Sequence, residues 1–266
     1  NASSGIGFWR GAVDSELHGC LIYDNGWIAP DRYHGPGIYT QNEDGQKWIT
    51  DCMIFANYST TIQAYGSKNA WVDHFRIVGN FAFDPTKAGG RQRILVGGGR
   101  PSVDILVAEN VCFEVPIQIG YGAAGKDGRD IVARGNTVVR AGLKVAAEDE
   151  QVRLKDNFVW EMGAPLPRAP NVFLRPNKYD GDRAHLAVLN RTGVNQVAVS
   201  VAGFLRHGDA FRLMSPYDVY GEPVVEGVVR SGKIVAPLKG DFTAYVLLRL
   251  PTASAKPRSG ATATGP

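Results

Sequence analysis

The chain has 266 residues, 44% hydrophobic and 21% charged, and a net charge of +3. This is ordinary globular composition, and its lysines and arginines form no basic run, so a nucleic-acid partner is not expected. No apolar stretch reaches the roughly 18 residues of a membrane-spanning helix, so no membrane partner is expected either. The 32 glycines and the lack of clear amphipathic helical patterns point to a β-rich fold with many tight turns. Residue 1 is Asn and no signal peptide is visible, so the chain reads as a processed form or a fragment.

In chain order, six segments align with one another. They open GIGFWRG, GIYTQNE, TIQAYGS, RILVGGG, PIQIGYG and GLKVAAE. Each reads as three short strands joined by corners. The first corner falls at Cys20, Cys52, Phe75, Asn110, Asn136 and Asn157, and a second at Asn25, Asn57 and Asn80. Corners recur every 21 to 26 residues, with longer intervals of 32 and 35. Such a period predicts a right-handed parallel β-helix of about six coils, spaced about 4.8 Å apart. Asn suits the corners because it tolerates the left-handed backbone and its amides can stack into a hydrogen-bonded column.

Alternation along the first strands predicts which side chains point in. Ile6, Ile38, Ile62, Ile94, Ile117 and Leu143 form one interior column, and Phe8, Thr40, Ala64, Val96, Ile119 and Val145 another. The outward column is then Gly7, Tyr39, Gln63, Leu95, Gln118 and Lys144. Cys20, Cys52 and Cys112 sit in apolar runs without CxxC spacing, so free, buried thiols are expected.

The β-helix is expected over residues 1–165. A Pro- and Gly-rich linker follows over 166–182, then short strands punctuated by turns, read as a small β-sandwich over 183–250. The Pro/Ser/Ala/Gly-rich segment 251–266 is expected to be a disordered tail. The chain opens inside what reads as a coil, so an upstream cap or further coils are expected. The whole is an all-β chain.

The coils, the Asn corners and the runs GPGIYTQN, TDCMIFANY and TIQAYGS resemble the right-handed parallel β-helix proteins of the pectate-lyase-like superfamily, over about residues 5–165. The sandwich segment resembles those appended to carbohydrate-active enzymes. The resemblance implies a polysaccharide or oligosaccharide partner and a secreted or periplasmic setting. It spans lyases, hydrolases, epimerases and non-catalytic proteins, so the fold alone does not choose a reaction. Some lyases of the superfamily use calcium. The outward columns of the first-strand sheet carry no Asp or Glu, so no metal and no cofactor is expected, and calcium lacks support.

The two long intervals place insertions at one corner, over residues 26–36 and about 81–92. Both should flank the first-strand sheet and form a groove. His34 is the candidate proton-transfer group, Arg32 the carboxylate partner, and Tyr39 a stacking, acid or base group. Trp9, Tyr65, Gln41, Gln63 and Asn42 are candidate sugar contacts, bordered by Arg10, Lys87, Arg91 and Arg93. These residue types suit an extended, acidic polysaccharide cleaved by β-elimination. A glycoside hydrolase would instead need two carboxylates, reached from loops at Asp14, Asp31, Glu43 or Asp84. A non-catalytic glycan-binding or structural role is the other alternative. His18 and His74 lie away from the groove and read as structural.

Overall fold

The computed structural model describes residues 2–148, 151–160 and 169–251. The expected tail, from residue 252 onward, and the start of the expected linker at 166–168 lie outside the described residues.

The strands form three parallel sheets of six strands each, winding about five turns of a β-helix. The first sheet takes Ile6–Phe8, Ile38–Thr40, Ile62–Gly66, Ile94–Gly98, Ile117–Ile119 and Leu143–Val145. The second takes Ser15–His18, Lys47–Thr50, Phe75–Val78, Val103–Ala108, Arg129–Arg134 and Val152–Lys155. The third takes Leu21–Tyr23, Met53–Phe55, Phe81–Phe83, Val111–Phe113, Thr137–Val139 and Phe158–Trp160. In the first sheet, Ile6, Ile38, Ile62, Ile94, Ile117 and Leu143 pair in one register. They and the Phe8–Val145 column pack into the helix interior, as the alternation requires.

One corner differs from the sequence reading. Phe75 opens a strand of the second sheet, and Asn80 takes its place in the column Cys20, Cys52, Asn80, Asn110, Asn136, Asn157. Here each side chain accepts the backbone N–H of the coil before it: Cys52 Sγ from Cys20, Asn80 Oδ1 from Cys52, Asn110 Oδ1 from Asn80, and so on to Asn157. The four asparagines also donate Nδ2–H to a strand carbonyl of the preceding coil, for example Asn110 to Ile77 at 2.9 Å. The left-handed backbone belongs to the residue just before each column member. Gly19, Asp51, Gly79, Glu109, Gly135 and Asp156 all have φ between 51° and 73°. Turning the corner and closing its hydrogen bonds are thus divided between two residues.

Lys47 stands in an interior column of the second sheet, beside Phe75, and is fully buried. Its ammonium donates to the carbonyls of Phe8, Trp9 and Gln41 at 3.3, 2.7 and 2.9 Å. Burial lowers its pKa to about 8, and the three carbonyls satisfy the charge that remains at neutral pH.

The third sheet is apolar on both faces. Ile22, Ile54, Ala82 and Cys112 face the helix interior. Met53, Phe55, Phe81, Phe83, Val111 and Trp160 face outward, where Ala187, Leu189 and Ala244 cover them. Tyr23, Phe55 and Phe83 stack as a ladder, with centroids 4.8 and 4.7 Å apart. The covering layer is an antiparallel sheet of Asn171–Pro176, Arg183–Leu189, Phe242–Arg249, Ala210–Met214 and Val225–Val228, in that spatial order. Its other face packs on the pair Gln196–Ser200 and Lys233–Pro237, completing a small sandwich. One detail differs from expectation. Asn171–Pro176, inside the expected linker, is a strand of this sheet. The sandwich covers a side of the β-helix, because an apolar outer face needs a partner.

Candidate functional site

Both insertions leave the β-helix between a third-sheet strand and the next first-sheet strand. The first is a hairpin in which Trp27–Ile28 pairs with Tyr33–His34. Gly26 and Gly35 close its neck at φ 101° and 87°, so near that a Cβ on either would collide with the opposite backbone. The hairpin fixes His34 from two sides. Its ring stacks on Trp27, centroids 5.5 Å apart and planes 15° off parallel. Its Nε2 lies 3.7 Å from Asp31 and accepts a long 3.5 Å hydrogen bond from Arg32 Nε.

The second insertion runs over residues 84–93. Gln92 anchors its end, donating Nε2–H to the Asn57 carbonyl at 3.0 Å and accepting from Thr61 Oγ1 at 2.6 Å. The two insertions touch through Tyr33. Arg91 lies over its ring, 5.6 Å from the centroid, and Gly89 lies against its hydroxyl end. Arg93 reaches back to the first sheet, donating Nη1–H to Gln118 Oε1 at 3.1 Å.

Between them and the first sheet lies a cleft of about 710 Å³. It brings together Arg32, His34, Tyr39, Gln63, Tyr65, Arg91 and Arg93. The other five candidates lie elsewhere or are committed. Trp9 is exposed and packs edge-on against Tyr39, 5.0 Å between centroids. Arg10 pairs with Glu43 at 2.8 Å. Gln41 donates to the Tyr65 carbonyl at 3.2 Å. Lys87 is ion-paired with Asp24 beside Tyr58. Asn42 is fully buried and donates to the carbonyls of Gly45 and Asp73; a side chain buried to close backbone bonds cannot touch a ligand.

Sequence reasoning passed over Tyr33 and Tyr121, which also line the cleft. Tyr33 stands between the candidates Arg32 and His34. Tyr121 lies two residues past Ile119 of the interior column and meets Tyr65 edge-on at 5.5 Å.

Among the described residues, the lining contains three arginines and a histidine, and no Asp or Glu. Asp31 stands behind them, 3.6 Å from Arg32. The Tyr39 hydroxyl is pushed above its ordinary pKa by burial and by neighbouring Tyr65, so it holds its proton at neutral pH. Among the described residues, no three His, Cys, Asp or Glu side chains cluster as metal ligands. The chain matches no family model, no curated protein and no solved structure.

Proposed function

We propose that the cleft binds an acidic, uronate-type polysaccharide or oligosaccharide and cleaves it by β-elimination. The observation behind this reading is the lining itself: Arg32, Arg91 and Arg93 gathered with Tyr39, Tyr65 and Tyr121, and no carboxylate among them. Guanidinium forks match carboxylates, and aromatic faces match sugar rings. Neutralising the uronate carboxylate acidifies the neighbouring C–H, which is what elimination needs. His34 is then the base. Tyr39, whose proton is tightly held, is the acid that protonates the leaving glycosidic oxygen. With no carboxylate lining the cleft among the described residues, the hydrolase alternative, which requires a pair of them, is disfavoured. A binding role without cleavage uses the same contacts.

The test is incubation with a panel of polyuronates and neutral glycans. Ultraviolet absorbance of an unsaturated uronate end reports elimination, and new reducing ends without that absorbance report hydrolysis. Elimination lost in His34→Ala, with ligand binding retained, supports the assignment. Hydrolysis, or elimination at the wild-type rate in His34→Ala, contradicts it.

A further inference from the structure

A second cavity lies at the other end of insertion 84–93, where the sandwich meets the third sheet. It measures about 680 Å³. Small-molecule sites commonly span about 300–1,000 Å³ and favour domain junctions. Phe83 and Phe113 of the β-helix and Tyr217, Val224 and Phe242 of the sandwich form much of its wall. Phe242 stacks on Phe113, centroids 5.3 Å apart and planes 15° off parallel.

The polar groups around it are nearly all engaged. Asp84 accepts from Tyr217 Oη at 2.6 Å and from Thr86 Oγ1 at 2.5 Å. Glu114 pairs with Arg140 at 3.0 Å. Thr243 Oγ1 accepts from the Lys239 amide and donates to its carbonyl, and Tyr245 donates to the Pro237 carbonyl at 2.6 Å. Apart from the exposed Lys239 ammonium, the walls offer a charged ligand almost no open partner in exchange for its hydration, which is costly. An apolar ring would break no hydrogen bond and would gain flat contacts.

We propose that this cavity binds an uncharged, ring-bearing apolar small molecule, a ligand class opposite to that of the cleft. The reading does not depend on the cleft's function. The insertion 84–93 belongs to both places, with Asp84 and Thr86 at the cavity and Arg91 and Arg93 at the cleft.

The experiment titrates the full chain with phenylnaphthylamine, a neutral dye whose fluorescence rises in apolar sites, and with its charged relative anilinonaphthalene sulfonate. Val224→Trp and Thr86→Trp each fill the cavity from an exposed position on opposite walls. Val235→Trp, at an exposed position outside the cavity, controls for added surface indole. Circular dichroism checks each fold. The expected result is saturable neutral-dye binding, weakened about tenfold or more in whichever filling variants fold, and unchanged in Val235→Trp. The sulfonate is expected to bind at least about tenfold more weakly than the neutral dye. No saturable binding to wild type, equal binding to the folded filling variants, equal loss in Val235→Trp, or sulfonate binding as tight as the neutral dye would each overturn the proposal.

Discussion

Tyr39 is the residue at which pattern and electrostatics meet. Its place in the outward column was readable from alternation, but its proton affinity was not, because that depends on burial and on Tyr65 one coil away. If it protonates the leaving group, Tyr39→Phe should lower turnover of a polyuronate by about a hundredfold or more while leaving affinity nearly unchanged. Steady-state kinetics and calorimetry on the same variant separate the two effects. A fall in affinity with unchanged turnover would make Tyr39 a binding group only. Asn110 tests the corner column. Asn110→Ala removes the acceptor for the buried Asn80 amide and the donor to the Ile77 carbonyl. Each orphaned buried group costs about 1–3 kcal/mol, so a loss of about 3 kcal/mol is expected in urea unfolding. A loss under about 1 kcal/mol would show that water or relaxation replaces these bonds.

The insertions are the elements that wall a cleft on a repetitive scaffold. Their presence was legible as two overlong intervals, since a regular repeat exposes any excess. Their mutual contact was not, because Tyr33 against Gly89 and Arg91 depends on how two loops fold toward each other. Gly89 has φ 54°, and a Cβ there would lie 2.5 Å from Tyr33 Cζ. Gly89→Ala should therefore displace Arg91 from the cleft and weaken binding of an acidic oligosaccharide by about tenfold, with little change in unfolding midpoint. Binding at wild-type strength would mean that the two insertions act independently. The third sheet gives the same lesson from the other side. Its strands LIY, MIF, FAF and VCF are apolar at every position, the mark of a sheet covered on both faces. Reading only the alternating first strands left the place of the sandwich undetermined. Miscounting one corner moved Phe75 into the asparagine column, because a self-alignment with unequal gaps can slip by one corner when a strand residue is as apolar as its neighbours.

At the scale of the molecule, the β-helix and sandwich are joined by apolar packing and by a polar seam that is sensitive to acid. His185 of the sandwich is buried against the Asp51 carbonyl at 2.8 Å, and burial lowers its pKa from 6.5 to about 4. The unfolded chain binds that proton more tightly, so this stability is present above pH 6.5 and is lost as pH falls toward 4. Glu16 extends the loss. Burial works to raise its pKa, but hydrogen bonds from Lys178, Tyr179 and Thr50 outweigh it and hold the value at about 2, against an ordinary 4.5. Its contribution is present above pH 4.5 and disappears as pH falls toward 2. Urea midpoints should therefore fall steadily on acidification from neutrality, and Glu16→Gln should flatten the part of the curve below pH 4.5. A curve of unchanged slope in that variant would mean that Glu16 does not carry the effect.

Calorimetric titration with oligouronates and their methyl esters asks whether the cleft selects an acidic sugar. The esters keep the rings and remove the charge. If it does, at least one oligouronate binds saturably, esterification costs about tenfold or more in affinity, and Arg91→Ala or Arg93→Ala costs the free acid a similar factor. Esters bound as tightly as the acids, or acids bound equally well after both arginines are removed, would contradict that selectivity.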